Sequence, residues 1–275
     1  MRKEKVVLIP GASRPLGRAI ARLFGEHSCR LVLPYFSDWP ESTEEMKQEF
    51  SDRKYDFLAC PCDLTTIDET DRLIQEITSH FGRLDYLINN IERGGMPVLH
   101  GSYNKEINRN QWNLEFDTTL KAKWNLFTSA IDLLKQVPDT AVINISSIAG
   151  HTGRSGPAAL LFNDGYSAAN RGIELLTQTW ARQAAPSVRV NEVMVGLIDG
   201  RHGNGTRGWS LLSAVERQQL EQRTLLNRTG TPEEVAEVVY FLCTSAQYIT
   251  GSVIRVDGGY CLGADRVDTI VNGIL

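Results

Sequence analysis

Short apolar runs alternate along the chain with longer segments whose apolar residues recur every three or four positions. The first run, at 6–9, is Val-Val-Leu-Ile, as expected of a strand buried on both faces of a sheet. After a glycine-containing turn, apolar residues follow at helical spacing: Leu16, Ala19, Ile20, Leu23 and Phe24. A buried strand followed by an amphipathic helix predicts the first half of a βαβ unit.

The same alternation continues along the chain. We predict further strands at 31–33, 57–59, 84–88, 141–145, 188–193 and 252–256, and further helices at 66–81, 110–136, 166–184 and from Pro232 onward. A proline followed by Glu233 and Glu234 is typical of a helix start. Strands separated by helices predict an α/β fold, with a parallel sheet of about seven strands and helices on both faces.

Neither a linker rich in Pro, Gly and Ser nor an internal repeat divides the 275 residues. We therefore predict one domain spanning 1–275. The segment 197–224 interrupts the alternation with four glycines and contains Trp209, Leu211 and Leu212. We expect it to form a mobile excursion over an apolar or extended substrate rather than a second domain.

Composition narrows the class of protein. Hydrophobic residues make up 42% and charged residues 23%, and the net charge of −4 provides no basic field for nucleic acid or an anionic membrane. No apolar run has the length of a membrane span. The five cysteines are irregularly spaced, and the one close pair, Cys60 and Cys62, lacks a second pair at zinc-like spacing. We predict free thiols, no metal and a cytoplasmic location.

A phosphate-binding loop is predicted directly after the first strand, in the segment Gly11-Ala12-Ser13-Arg14-Pro15-Leu16-Gly17. A tight turn onto a helix N-terminus presents free backbone N–H groups and the positive end of the helix dipole. The position between a strand and a helix strengthens a motif that two glycines alone would support only weakly.

This loop resembles the Gly-x-x-x-Gly-x-Gly motif of the short-chain dehydrogenase/reductase family, with Pro15 at the middle glycine. Further motifs of that family follow in order: Asp63-Leu64, Asn89-Asn90, Asn144-Ile145-Ser146-Ser147, Tyr166-Ser167-Ala168-Ala169-Asn170, and an ending that includes Val256-Asp257-Gly258-Gly259. The resemblance covers roughly residues 5–263 and is closest to 3-oxoacyl-carrier-protein reductases. It implies a Rossmann-type, doubly wound parallel sheet.

The resemblance implies hydride transfer between a nicotinamide nucleotide and a carbonyl or alcohol. Tyr166 would move the proton and Ser147 would hold the substrate oxygen. The family's catalytic lysine falls at Asn170, and its catalytic asparagine falls at Thr119. Because Asn170 carries no charge, it cannot stabilise a tyrosinate as a lysine does. Lys123 is one turn beyond Thr119, which leaves two interpretations: it reaches into the site in place of the missing lysine, or, more simply, it is solvated.

The resemblance assigns cofactor binding to these residues: Gly11, Ser13, Arg14, Leu16, Gly17, Asp63, Leu64, Asn89, Gly196 and Ile198. The cofactor would be NADP or NAD. The second strand ends in Pro34-Tyr35-Phe36, with neither the acid that selects NAD nor an arginine that selects NADP, although Arg14 resembles NADP-preferring members. Pro15 and Glu92 depart from the family's glycines, and Glu92 is expected to bring a carboxylate near the phosphates.

Two hypotheses about function remain open. In the first, the chain is an oxidoreductase with an altered active site that acts on a small carbonyl, an alcohol or an acyl thioester. Alternatively, it is a non-catalytic subunit that assembles with an active homologue. The family commonly dimerises through the helices predicted here at 110–136 and 166–184, which implies a homodimer or homotetramer, or a hetero-oligomer with another family member.

Overall fold

Seven parallel strands form one sheet in the computed structural model, which describes residues 4–92, 106, 110–200 and 212–265. The strand order is β3-β2-β1-β4-β5-β6-β7. The bounds are β1 Val6–Leu8, β2 Arg30–Tyr35, β3 Phe57–Pro61, β4 Tyr86–Asn89, β5 Thr140–Ser147, β6 Val188–Val195 and β7 Val253–Val256. This is the predicted parallel α/β sheet. Strands β2 and β3 lie on one side of β1, and the chain then crosses to the other side, where β4 pairs with β1.

Helices cover the sheet. They are α1 Pro15–Glu26, α2 Pro40–Asp52, α3 Ile67–Phe81, α4 Gln111–Phe116, α5 Ala122–Leu134, α6 Ala149–Thr152, α7 Asp164–Ala184, α8 Ala214–Arg223 and α9 Pro232–Thr244. The sequence did not predict α2, because only Thr43, Met46 and Phe50 of its residues are buried. Among the described residues, no helix combines the length and apolar character needed to cross a bilayer.

Two hydrophobic layers lie on the two faces of the sheet. One layer joins α1 to α9 and includes Phe24, Phe50, Cys29 and Cys243. The other joins α3, α5 and α7 and includes Phe127 and Trp180, whose rings stack at 4.4 Å, together with Cys60 and Cys62. All five cysteines are free, and burial raises the pKa of Cys29 to about 11 and of Cys60 and Cys62 to about 12.

The helix predicted as continuous over 110–136 changes pitch in its middle. A π-helical segment, Asp117–Lys121, separates α4 from α5 and contains Thr119. Thr118 Oγ1 donates to the Leu114 carbonyl at 2.7 Å, which is a side-chain bond that competes with regular helix geometry. Such π turns are frequent at functional sites.

The segment 197–224 is partly described. Leu197 and Ile198 are buried, and Ile198 pairs in parallel with Gly230. The helix α8 begins at a capping box formed by Ser213 and Glu216. The expected excursion includes Trp209 and Leu211, which lie outside the described residues, whereas Leu212 is buried.

Candidate active site

The carboxyl ends of the central strands meet at one edge of the sheet, where ligands bind in open α/β sheets. Gly11 follows β1, Asn89 ends β4, Ser147 ends β5 and Gly196 follows β6. The fold thus brings the candidate residues from four separate parts of the sequence to one edge. Gly196 is held there because its N–H donates to the Val256 carbonyl at 2.9 Å.

The turn after β1 has the geometry of a phosphate loop. Gly11 has a φ of +72°, in the left-handed region that favours glycine. A Cβ on Gly17 would lie 2.3 Å from the Gly11 carbonyl oxygen, so glycine is required for the helix to approach the turn. The first turn of α1 has no acidic residue, and the N-cap Arg14 makes no side-chain capping bond. This helix N-terminus therefore suits an anion.

Pro15 is the first residue of α1 and contacts the loop that follows β6. A Cβ on Gly200, whose φ is +88°, would lie 2.8 Å from Pro15 Cβ and 3.0 Å from Pro15 Cγ. The proline ring and the Gly200 backbone are therefore in close contact. Pro15 also has no N–H to offer a phosphate, although proline is well tolerated at a helix start.

The remaining residues assigned to the nucleotide have partners within the protein. Arg14 is exposed, and its guanidinium carbon lies 4.6 Å from the centroid of the Trp39 ring. Asp63 Oδ1 accepts from the Thr65 N–H at 3.0 Å and also from its hydroxyl. Other assigned residues are fixed by backbone contacts: the Ser13 carbonyl accepts from Ser42 Oγ, Leu64 is buried with its carbonyl accepting from Asn125, and Leu16 is partly buried against the core.

Tyr166 lies in the first turn of α7 and is buried. Its backbone N–H donates to Asn163 Oδ1 at 2.7 Å. This bond caps the helix and fixes the position of Tyr166 in its first turn. Its phenol hydroxyl donates to Glu92 Oε2 at 3.0 Å. The Glu92 carboxylate therefore lies against the tyrosine, because α7 places the phenol beside the segment that follows β4.

Asn170 and Thr119 are buried, and each has an oxygen that finds no partner in the described part of the chain. Asn170 Nδ2 donates to the Tyr166 carbonyl at 3.0 Å, and this fixes the orientation of the amide because a carbonyl only accepts. Asn170 Oδ1, Thr119 Oγ1 and Asn89 Oδ1 are then left as buried polar atoms with no hydrogen bond to any described residue. Buried polar atoms without protein partners are usually satisfied by ordered water or a ligand.

Lys123 is almost fully buried, so its interpretation as a solvated lysine is wrong. Its Nζ donates to the Ile91 carbonyl at 2.6 Å, just beyond the end of β4. Thr119, one turn earlier, is buried on the same side. The cation therefore lies beneath the candidate site, beside the residue that precedes Glu92.

Ser147 ends β5, and its Oγ accepts from the Ala149 N–H at 3.1 Å. Behind it, Glu192 of β6 is completely buried and accepts hydrogen bonds from Ser146 Oγ and from Thr177 Oγ1. Burial raises the pKa of the Glu192 carboxyl to about 7; the Ser146 bond and the positive charge of Lys123 oppose that rise, and Glu174 adds to it.

A line of side-chain amides continues from that carboxyl toward the sheet edge. Asn144 Nδ2 lies 2.8 Å from Thr177 Oγ1, and Asn89 Nδ2 lies 2.8 Å from Asn144 Oδ1. Because the Thr177 hydroxyl donates to Glu192, it accepts from Asn144 Nδ2, and Asn144 Oδ1 in turn accepts from Asn89 Nδ2. Each side-chain amide therefore has one orientation. Asn89 Oδ1 is left pointing onward as an acceptor at the end of β4.

Sequence comparisons agree with this architecture. A family model described as enoyl-(acyl carrier protein) reductase matches residues 11–261. The 3-oxoacyl-(acyl-carrier-protein) reductase FabG of Staphylococcus aureus is 30% identical over 261 residues, covering 94% of this chain and 99% of the relative. The chain belongs to the short-chain dehydrogenase/reductase family. A FabG reductase from Thermotoga maritima is 28% identical over 264 residues, with 94% and 99% covered.

Solved structures of this family share the fold. A short-chain dehydrogenase/reductase from Burkholderia xenovorans superposes with a TM-score of 0.78 at 23% identity, covering 96% of this chain and 100% of that one. The NADPH-dependent 3-quinuclidinone reductase of Rhodotorula rubra superposes with a TM-score of 0.80 at 23% identity, covering 94% and 92%.

Short-chain dehydrogenase/reductases bind NAD or NADP, and the residues present here fit such a nucleotide. The left-handed turn at Gly11 and the N-terminus of α1 suit the pyrophosphate. The buried oxygens of Asn170 and Thr119 suit hydroxyl donors near the reacting end. Arg14 packs on Trp39, which follows the carboxyl end of β2, and this pair would suit the adenosine end of the nucleotide.

Replacing Gly17 tests the phosphate loop. In Gly17→Ala, the new methyl group meets the Gly11 carbonyl and Asn90 Nδ2, and a backbone neighbour cannot rotate away. We expect the free energy of unfolding to fall by about 2 kcal/mol and NADPH affinity to fall at least about tenfold. Calorimetric titration with NADPH and thermal melting measure the two effects.

Gly25→Ala is the matched control on the same helix. There, the nearest atoms to a Cβ belong to the ring of Tyr55, a side chain that is itself partly exposed and can move. Nucleotide affinity should be unchanged in this variant. Equal losses of affinity in both variants would contradict the assignment of the phosphate loop to Gly11 and Gly17.

Two polar residues near this site were not predicted correctly from the sequence. Glu192 lies in a strand segment, Val-Arg-Val-Asn-Glu-Val, where it was not recognised as a buried acid. Lys123 was expected in solvent but is buried. The contact between Glu92 and Tyr166 joins residues 74 positions apart, so the sequence did not indicate it. A buried charged residue inside a predicted strand was the one available signal.

Proposed function

We propose that this chain is an oxidoreductase that transfers hydride between NADP or NAD and a carbonyl or alcohol group, with Tyr166 as the proton-transfer residue. The observation that supports this most directly is the Tyr166 phenol. It is buried at the carboxyl edge of the sheet, and its proton is held in a hydrogen bond to Glu92. A proton-transfer group must lie within hydrogen-bond reach of the substrate, and ligands of such folds bind at this edge.

The remaining roles follow from position. When bound, the nicotinamide donates or accepts hydride. Ser147 lies at the end of β5 and is proposed to hold the substrate oxygen with its hydroxyl. The burial of both Ser147 and Tyr166 keeps bulk water from the reacting oxygen. Asn170 and Thr119 are proposed to bind hydroxyl groups of the nucleotide or ordered water through their free oxygens.

The substrate is proposed to be a 3-oxoacyl thioester or a related carbonyl compound. The relatives from Staphylococcus aureus and Thermotoga maritima are reductases of 3-oxoacyl groups on acyl carrier protein. Incubation of the purified chain with NADPH and acetoacetyl-coenzyme A, followed by loss of NADPH absorbance, tests the reaction. We expect turnover, and absence of both nucleotide binding and turnover would contradict the proposal.

A second candidate function is a non-catalytic subunit. The contact between Pro15 and Gly200 closes the phosphate loop against the segment after β6, and the catalytic lysine position carries Asn170. Both features favour a chain that retains the fold of the family while its nucleotide binding is weakened. Co-purification with an active family member would support this function over the first.

Pro15→Gly tests whether the proline ring weakens nucleotide binding. The substitution restores one N–H and removes the ring that meets Gly200, so we expect NADPH to bind about tenfold more tightly. Calorimetric titration measures the change. Pro232→Gly, at the same helix-start position of α9, is the matched control and should leave affinity unchanged. An unchanged affinity in Pro15→Gly would show that the proline does not obstruct the nucleotide.

Assembly and location are part of the proposal. Trp124 on α5 and Leu175 on α7 are 46% and 68% exposed, so both helices present an apolar side chain to the outside. They support a homodimer or homotetramer built through these helices, or a hetero-oligomer with another family member. The free cysteines and the relatives' carrier-protein substrates support a cytoplasmic location.

A further inference from the structure

The hydrogen bond between Tyr166 and Glu92 gives the phenol a partner of the opposite charge to the missing lysine. We propose that Glu92 acts through Tyr166 as a positioning residue that holds the phenol proton and receives it during turnover. The inference rests on the proposed function, because it requires Tyr166 to exchange a proton with substrate. It assigns a role to a position at which the family's motif has glycine.

Both partners of this hydrogen bond are held by the fold. Tyr166 is fixed at the start of α7 by the Asn163 cap, and the phenol is buried. Glu92 directly follows Ile91, whose carbonyl Lys123 binds at 2.6 Å just beyond the end of β4. The distance of 3.0 Å between the phenol oxygen and Glu92 Oε2 is thus set by two independent elements.

The charge of Glu92 changes how the tyrosine can work. A neighbouring cation stabilises a phenolate, whereas a neighbouring carboxylate stabilises the protonated phenol. Asn170, at the lysine position, donates its amide to the Tyr166 backbone and supplies no charge. A phenol in this setting can accept a substrate proton only if its own proton leaves at the same time, and the carboxylate is the acceptor in contact.

The proposed step is balanced in both directions. In alcohol oxidation, the substrate O–H proton moves to the Tyr166 oxygen while the phenol proton moves to the Glu92 carboxylate, and the C–H hydride passes to the oxidised nicotinamide nucleotide. In reduction, the hydride passes from the reduced nucleotide to the carbonyl carbon. The phenol proton then moves to the substrate oxygen, and Glu92, protonated from solvent, returns a proton to the tyrosine.

Ionisation of Tyr166 tests the hydrogen bond without any turnover. Phenolate absorbance is followed during an alkaline titration, and the curve of Tyr166→Phe is subtracted to isolate this one tyrosine. We expect Glu92→Gln to lower the pH of ionisation of Tyr166 by about one unit or more, because the carboxylate no longer favours the protonated phenol. Glu76→Gln, which alters an exposed carboxyl on α3, is the control and should cause no shift. An unchanged titration in Glu92→Gln would overturn the proposal.

Kinetics separate this inference from the proposed function. With NADPH and acetoacetyl-coenzyme A, Glu92→Gln should lower kcat about tenfold and leave KM unchanged. If Tyr166→Phe abolishes turnover while Glu92→Gln retains kcat, the role of Glu92 is overturned and the proposed function stands. If Tyr166→Phe retains turnover, the assignment of Tyr166 fails and the role of Glu92 fails with it.

Discussion

Tyr166→Phe is expected to lower kcat/KM by about 100-fold or more for reduction of acetoacetyl-coenzyme A by NADPH. The substitution removes only the phenol oxygen, which is the atom that donates to Glu92 Oε2. Proton transfer by a positioned side chain contributes about 10²–10⁴-fold to a rate, and without it the developing alkoxide must take its proton from water. Steady-state kinetics over a range of substrate concentrations measure the loss.

The structure offers a matched control for this variant. Tyr248 lies after α9 and is fully exposed, so Tyr248→Phe makes the same chemical change far from the sheet edge. It should retain full turnover. The ring of Tyr166 is also part of the buried cluster that includes Phe162, so Tyr166→Phe keeps the packing and should keep the melting temperature. Turnover within twofold of the unaltered protein would rule out Tyr166 as the proton-transfer residue.

Glu192 is expected to make the fold less stable as the pH rises from 4.5 to 7. In the unfolded chain, the carboxyl has its ordinary pKa of 4.5, whereas burial raises the pKa in the folded protein to about 7. The folded state therefore binds the proton more tightly. Its stabilising contribution is fully present below pH 4.5, declines across this interval and is constant above it, a change of about 3 kcal/mol.

Glu192→Gln isolates this contribution. The amide keeps the size of the side chain and can bond to Ser146 and Thr177, but it does not ionise between pH 4.5 and 7. Urea unfolding at a series of pH values should show that the decline present in the unaltered protein is largely absent in the variant. Glu76→Gln removes an exposed carboxyl and should retain the decline. Parallel pH profiles for all three proteins would contradict the assignment to Glu192.

The strands were predictable because parallel strands covered on both faces must be apolar at nearly every position, and such runs are conspicuous. The site edge was predictable for the same reason, since motifs at strand ends converge wherever a parallel sheet forms. The fold fixes Gly11 and Ser147 at that edge through backbone geometry alone. Neither depends on which side chains lie opposite.

Side-chain partners across the sheet were not predictable. Helix α2 was missed because its buried positions are few and one is threonine, so its periodicity is weak. Lys123 was expected in solvent because lysines are seldom buried, although its position one turn beyond Thr119 puts both residues on the buried face. Glu192 finds its partners 46 and 15 positions away, in β5 and α7. Local pattern carries no information about such contacts.

The buried cysteines make thiol labelling a measure of motion in the sheet. Cys29 and Cys243 belong to the layer on one face, and Cys60 and Cys62 belong to the layer on the other. A reagent can modify each pair only when its layer opens, and the high thiol pKa values keep the rate low until it does. The native chain thus carries two sets of reporters, and the order in which they are modified shows whether the two faces of the sheet open together or in sequence.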